Sequence, residues 1–375
     1  LTKPDMDQAW HDLLSCTGHA ILYCWKPDYE ERLQKVRQTR ANGERALQEA
    51  QAALVQSIRF RSELGSPIVV LNSHGWPVSG PVEVRLEGKP RAWLLRDGTG
   101  RDIPLQQVEE RTGQRLAFVA EAVPACGYKT FYLGRAGDGP ARNRPEVSIL
   151  KPIENEHFRI EMQPDGALKV FDTARGTELG SPKQGGLGDI VLYDAPQPKT
   201  WELNGPLGPR HAWEAQPREF RSQQGPVYST IVAKGTFGPH KVTREVRLWR
   251  GSRRIEYSVE IDAAEGNGVF AIRFPTGISG RLFAGIPFGA EPREHFEREP
   301  FRGEYFVQGY PDNYYATRWT DNSTADFGYT FVCPPGMHSG YMYKAAEQAI
   351  EFMLLRVRPQ PTGGWSQVHP SLQGT

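Results

Sequence analysis

The chain has 375 residues, with 45 Lys plus Arg against 44 Asp plus Glu, a balance that excludes the broad basic surface needed by nucleic acid or anionic membranes. Gly (39) and Pro (30) are frequent, as turn-rich β proteins require, while persistent hydrophobic periodicity excludes wholesale disorder. No apolar run reaches the length of a membrane span, and the length predicts two or three domains.

Residues 1–61 are expected to be helical. Asp5 is placed to cap a first helix running through Met6, Ala9, Trp10, Leu13 and Leu14. After a Gly18-His19 break and an apolar strip, Pro27-Asp28 opens a second helix, with Asp28 and Glu31 spaced as a capping box. Its positions Leu33, Val36, Leu47, Leu54 and Ile58 fall on one seam, interrupted by Arg40 and Gly43, of the kind that packs along another helix.

At Gly65-Ser66-Pro67 the composition changes. Ile68–Leu71, Val82/Val84/Leu86, Leu116–Val119 and Tyr128–Leu133 read as the strands of a small β-sandwich over 62–136. Residues 137–146 form a Gly/Pro/Arg linker. In 154–179, ENEHFRIEMQPDGALKVFDTARGTEL, Phe158, Ile160 and Met162 alternate with polar residues. Asp165-Gly166 then suits a tight hairpin turn. Further strands are expected at 190–193, 227–233, 241–249, 254–261, 269–274, 328–332 and 350–357, and a long loop at 287–317. Many strands without intervening helices predict a large antiparallel sandwich over 147–375.

The chemistry is sparse. His11, Cys16, His19 and Cys24 are close in sequence but match no compact zinc-finger spacing, so buried cysteines are the ordinary reading. His19 alone, at a helix break, remains a candidate single metal ligand. Cys16, Cys24, Cys126 and Cys333 are few and unpatterned, which favours a reducing compartment, and a cytoplasmic location is expected. Asn322-Ser323-Thr324 would accept a glycan only in a eukaryotic secretory setting. Glu154, Glu156, Glu178, Asp262, Glu265, Glu291, Asp321 and Asp326 include no pair whose spacing forces the facing geometry of a glycosidase. Phosphate loop, nucleophile elbow and dinucleotide fingerprint are all absent from the sequence. Nine Trp, 14 Tyr and 17 Phe offer stacking surfaces for sugars, though core packing accounts for most of them equally well. Taken alone, the residues point to a helical segment followed by two β domains with a carbohydrate-related role.

The order of segments adds a resemblance. The run IVVLNSHGWPVSGPVEV over 68–84 is similar to the strand region that follows the helical domain in α-mannosidases of glycoside hydrolase family 38. AVPACGYKTFYL over 122–133 resembles the strand closing that family's small sandwich. The hairpin 154–179 resembles the entry to its large, galactose-mutarotase-like supersandwich, and LWRGSRRIEYSVEID over 248–262 a later part of it. Segments 286–289, 318–321 and 352–356 follow in the expected order.

The resemblance implies a retaining glycosidase in which one Asp attacks the anomeric carbon and a second carboxyl protonates the leaving oxygen. It also implies zinc at the mannose hydroxyls and an α-mannoside substrate. Gly18-His19-Ala20-Ile21-Leu22 matches the family's motif of a zinc-ligating His followed by an Asp; His19 is kept and Ala20 replaces the Asp. Family members carry the nucleophile, the acid/base and the remaining ligands on a preceding catalytic domain. The chain is therefore expected to be part of a larger enzyme, with its own N-terminal catalytic domain as partner, ending before its relatives do and inactive alone. Arg356 is the candidate substrate contact, a structural ion pair being its more ordinary role. A non-catalytic carbohydrate-binding or scaffolding module, or an inactive relative, is the alternative. An aldose-epimerase-like activity would need an acid and a base in one groove, and no His–Glu pair stands out. The sequence does not decide between a monomer and a homo-oligomer.

Overall fold

A computed structural model describes residues 3–16, 26–110, 112–136, 145–148, 151–163, 166–181, 184–194, 208–211, 219–279, 281–293, 313–333, 339–344 and 347–357. It is mainly β with an N-terminal helical segment, and its described strand pairs are antiparallel. Helix α1 (Lys3–Ser15) contains Asp5 inside its first turn, so that residue is not the cap the sequence predicts. The second helix, α2 (Lys26–Gln56), stops short of residue 61 and is followed by a single 3-10 turn at Ser62–Leu64. The expected seam is largely uncovered: α1 meets α2 near its start, where Cys16 Sγ and Arg32 O lie 3.7 Å apart, while Val36, Leu47 and Leu54 are exposed. Among the described residues, no helix is long and apolar enough to cross a membrane.

Strands β1 (Ser66–Asn72), β2 (Val78–Glu87), β3 (Trp93–Asp97), β4 (Asp102–Ile103), β5 (Gln106–Glu110), β6 (Gly113–Val123) and β7 (Gly127–Arg135) build the small sandwich. Its sheets have the orders β1-β7-β3-β4 and β2-β6-β5. Alternation in β2 and β6 turns Val82, Val84, Leu116 and Phe118 inward to meet Leu95, Leu105 and Phe131 in one core. The sequence reading missed β3 to β5, which are short and carry charges.

The larger body contains β8 (Glu146–Ser148), β9 (Ile153–Glu154), β10 (Phe158–Met162), β11 (Leu168–Asp172), β12 (Thr177–Leu179), β13 (Asp189–Asp194) and β14 (Arg210–His211). It continues with β15 (Glu219–Gln224), β16 (Tyr228–Phe237), β17 (His240–Trp249), β18 (Ile255–Asp262), β19 (Gly268–Pro275) and β20 (Arg281–Ile286). The last six are β21 (Gly289–Arg293), β22 (Asn313–Ala316), β23 (Trp319–Ser323), β24 (Gly328–Val332), β25 (Ser339–Lys344) and β26 (Ala349–Val357). Strands β21 and β22 lie inside the loop expected at 287–317; what separates them, 294–312, is outside the described residues.

A five-stranded sheet, β18-β17-β16-β15-β8, and a six-stranded sheet, β14-β13-β19-β26-β25-β22, are joined by two four-stranded sheets, β12-β11-β10-β9 and β21-β20-β23-β24. Their inner faces share one apolar core that includes Ile160, Val170, Ile231, Val246, Phe270, Ile272, Leu282 and Phe352. The hairpin of β10 and β11 runs in register from Phe158↔Asp172 to Met162↔Leu168, and Gly166 takes a φ of 87° in its turn. Asn155 fixes its entry. Its Oδ1 accepts from the His157 and Phe158 amides, and its Nδ2 donates to Trp249 O and Ser252 O at 2.8 and 2.9 Å.

Arg244 points into this core and is almost fully buried. Its guanidinium donates to Gly188 O at 2.7 Å and to Gly166 O, and it lies 3.9 Å from Asp189 Oδ1. Gly188 has a φ of 79°, and a Cβ there would collide with the Tyr257 ring, so backbone and packing both require glycine.

Asn322 is 0 % exposed and its Oδ1 accepts from Thr276 Oγ1 at 2.7 Å, so the folded protein cannot present this sequon for glycosylation.

Two measurements test the core. Arg244→Met removes the donors of two carbonyls and one partner of Asp189, and is expected to cost about 3–5 kcal/mol in urea unfolding. His240 stands edge-on to Phe270 and accepts the Ala264 amide on Nδ1 at 3.1 Å, and burial lowers its pKa. A lowered folded-state pKa means that the unfolded chain takes up the proton first, so stability falls as pH drops through the ordinary histidine range. Melting temperature measured between pH 7.5 and 5.5 should fall less in His240→Asn, which keeps an acceptor but does not titrate.

Candidate functional site

A dense group of ionisable side chains lies on the outer face of the six-stranded sheet. Strand alternation sends Ile190, Ile272 and Phe352 to the core and leaves Val191, Tyr193, Val269, Ala271 and Met353 as a separate apolar cluster on the other face. Asp189, Arg273 and Glu351 form one rung across β13, β19 and β26 on that second face. Arg273 Nε donates to Glu351 Oε1 at 3.1 Å and Tyr193 Oη to Glu351 Oε2 at 2.7 Å. Arg273 also bonds Gln184 O and Glu347, and Arg210 Nη1 donates to Glu347 Oε2 at 2.9 Å.

Glu351 is 0 % and Arg273 3 % exposed, so both are taken from water and each depends on the other. Both Glu351 oxygens are engaged, by Tyr193 and Arg273, so neither is free to act as a general base. Burial, with the Glu351 charge beside it, raises the Tyr193 pKa, so the phenol stays a donor. At Glu347, burial works to raise the pKa, but the hydrogen bond from Arg210 and the charge of Arg273 outweigh it and hold the carboxyl below its usual range. The margin of the cluster is open: the side chains of Arg210 and Glu347 are 40 % and 39 % exposed. His211, next to Arg210, pairs instead with Asp194 at 3.0 Å. The closed part is anchored by its own hydrogen bonds, while the open margin reaches solvent.

Arg356 belongs to the same face. A bulge between Phe270 and Ala271 shifts the β19–β26 register, so Arg356 comes opposite Val269, whose other neighbour is Tyr193. His19, Ala20 and Cys24 lie outside the described residues. Among the described residues no group of three or more His, Cys, Asp or Glu could hold a metal ion, so these residues do not build a zinc centre. Of the expected carboxylates, Glu156 accepts the Gly251 amide at 2.7 Å and Asp321 holds the Ser323 and Thr330 hydroxyls, which are structural roles. The sequence reading missed Tyr193, Arg210, Arg273, Glu347 and Glu351. A signal existed for two of them: Arg273 is the single charge in GVFAIRFP, and Glu351 is one of two charges, with Arg356, in the otherwise apolar AIEFMLLRV.

The model of the glycosyl hydrolases family 38 C-terminal domain matches residues 153–363, more than half of the chain. The chain belongs to glycosyl hydrolase family 38. No curated protein sequence matches it. Its fold is similar to that of a crystal structure of a family 38 protein from Enterococcus faecalis, with a TM-score of 0.70 at 14% identity, over 94% of this chain and 48% of that one. It is also similar to an α-mannosidase from Enterococcus faecalis V583, with a TM-score of 0.71 at 14% identity, over 95% of this chain and 47% of that one. The chain thus spans about half the length of these relatives. The family 38 match begins at Ile153, at the entrance of the β9–β11 hairpin, and takes in the whole Tyr193–Arg273–Glu351 cluster.

Two substitutions grade the cluster. Tyr193→Phe removes one hydrogen bond to a carboxylate and should cost about 1.5–3 kcal/mol. Glu351→Leu leaves a buried guanidinium without its main partner and should cost about 3–5 kcal/mol. Denaturant midpoints in the reverse order would show that Arg273 is satisfied without Glu351.

Proposed function

We propose that this chain supplies the helical and β portion of an enzyme that hydrolyses α-mannosides with retention of configuration. In this reading it divides into a helical segment over 1–61, a small sandwich over 62–136, a linker over 137–146 and a supersandwich over 147–375. The observation that carries the reading is the family 38 match over 153–363, supported by a fold similar over 95% of the chain to less than half of an α-mannosidase. A nucleophile and an acid/base group would come from a domain preceding these helices. The helices offer a surface that such a domain would cover: Trp10 and Leu14 are 58% and 64% exposed on α1, with Leu47 on α2.

Within that enzyme His19 would be one ligand of a zinc ion whose other ligands lie outside this chain. Arg356 would contact the substrate from the face it shares with Tyr193 and Glu351. Ala20, standing where the family motif has Asp, would alter the sugar contacts beside His19.

The test compares the 375-residue chain with the same chain joined to its preceding catalytic domain, using p-nitrophenyl α-mannoside. Turnover is expected only from the longer protein, with the α-anomer formed first by NMR. In that protein His19→Ala should lower zinc content, and Arg356→Ala should raise KM. Turnover by the 375-residue chain alone, or zinc content unchanged by His19→Ala, would overturn the corresponding assignment.

A further inference from the structure

The outer face of the five-stranded sheet carries a groove whose chemistry the proposed hydrolysis does not use. It encloses about 120 Å³ between β15, β16, β17 and the edge of the small sandwich. Two rungs form its floor: Gln223, Thr230 and Arg247 in one, and Arg221, Val232 and Glu245 in the next. Lys234 closes one end, and Arg115, from β6, overhangs the other.

The two inner guanidiniums are fixed. Arg247 stacks 4.6 Å over the Tyr228 ring and donates to Glu245 at 2.7 Å and Glu83 at 2.9 Å. Arg115 donates to Glu83 at 3.2 Å and meets Glu110 at 3.1 Å. Three carboxylates thus serve Arg115 and Arg247 and hold them in one geometry. Arg221 differs from both. It is exposed and lines the groove, and its side chain makes no hydrogen bond or ion pair among the described residues. A guanidinium unpaired among the described residues, beside the Lys234 ammonium and the Gln223 amide, is a fork of donors open to an anionic acceptor. Thr230 and Glu245 add groups that exchange hydrogen bonds with hydroxyls.

We propose that this groove binds a saccharide bearing a single anionic group, either a carboxylate or a phosphate or sulfate ester, with Arg221 as the principal contact to the anion. Lys234 adds charge, while Gln223, Thr230 and Glu245 take the neighbouring hydroxyls. The seam-locked Arg115 and Arg247 shape the wall. The ligand would therefore bind without a large rearrangement of the sheet, because the strand register already fixes the backbone position from which each side chain projects.

Calorimetry on the 375-residue chain tests this with glucuronate, glucose 6-phosphate, inorganic phosphate and methyl glucoside. Glucuronate or glucose 6-phosphate should bind saturably and more weakly as salt is raised, and the tighter of the two names the source of the anion. Methyl glucoside should give no saturable heat, and inorganic phosphate should bind more weakly than the sugar phosphate. Arg221→Ala is an exposed change that leaves the seam intact and should weaken binding about tenfold or more, with Arg221→Lys recovering part of the loss. The assignment is overturned if neither anionic sugar binds the folded protein, if Arg221→Ala leaves Kd unchanged, or if the neutral sugar binds as tightly. Equal affinity for phosphate and sugar phosphate would overturn the saccharide part.

Discussion

A single buried guanidinium constrains the large sandwich. Arg244 projects from β17 into the apolar core, where leaving a charge unpaired would cost several kcal/mol. The fold answers by bringing two backbone carbonyls, at Gly166 and Gly188, and the Asp189 carboxylate to the same point. One carbonyl belongs to the β10–β11 turn and the other to the segment that leads into β13. Three of the four sheets therefore cannot slide independently, because a shift of any of these three would strand the guanidinium. Asp189 carries the constraint further, since it begins the rung that continues through Arg273 to Glu351 and Tyr193. Core and outer face are thus tied by one line of polar groups.

The two sandwiches are also fixed to each other by specific bonds. Gln106, fully buried in β5, accepts from the Val227 and Tyr228 amides at 3.2 and 3.0 Å, and a side chain at Gly225 would collide with it. Ala117, Val227, Tyr228 and Trp249 pack around that contact, and Glu83 crosses the seam to Arg247. Few residues do this work, but they include buried backbone donors that have no water to fall back on. That geometry gives the groove beside Arg115 a wall from one body and a floor from the other.

Much of the fold was legible because strand alternation and turn residues report burial locally. Phe158/Ile160/Met162 and Val82/Val84/Leu86 announce their faces without reference to any distant residue. The short strands β3 to β5, β21 and β22 were not legible, because their pairing is decided by partners far away in sequence and their own pattern is mixed. The cluster around Glu351 was hidden for the same reason. Tyr193, Arg273 and Glu351 are separated by 158 positions between the first and last, and their adjacency is a product of sheet order. Arg356 could be named from sequence, but its face could not, since the bulge opposite Phe270 reverses the alternation that a simple count would give. The helical seam failed differently. The apolar positions are there, but among the described residues α1 meets α2 only near its start and leaves Val36, Leu47 and Leu54 exposed.

The buried Asn322 has a consequence for how the polypeptide can be made. Oligosaccharide transfer in the endoplasmic reticulum acts on sequons before folding is complete, when Asn322-Ser323-Thr324 is as accessible as any other. A glycan attached at that stage would have to sit where the Asn322 side chain meets Thr276, with no space and no water. Secretion through a eukaryotic host would thus trap a fraction of chains in a form that cannot close β23 against β20, whereas synthesis in a compartment without the transferase would not.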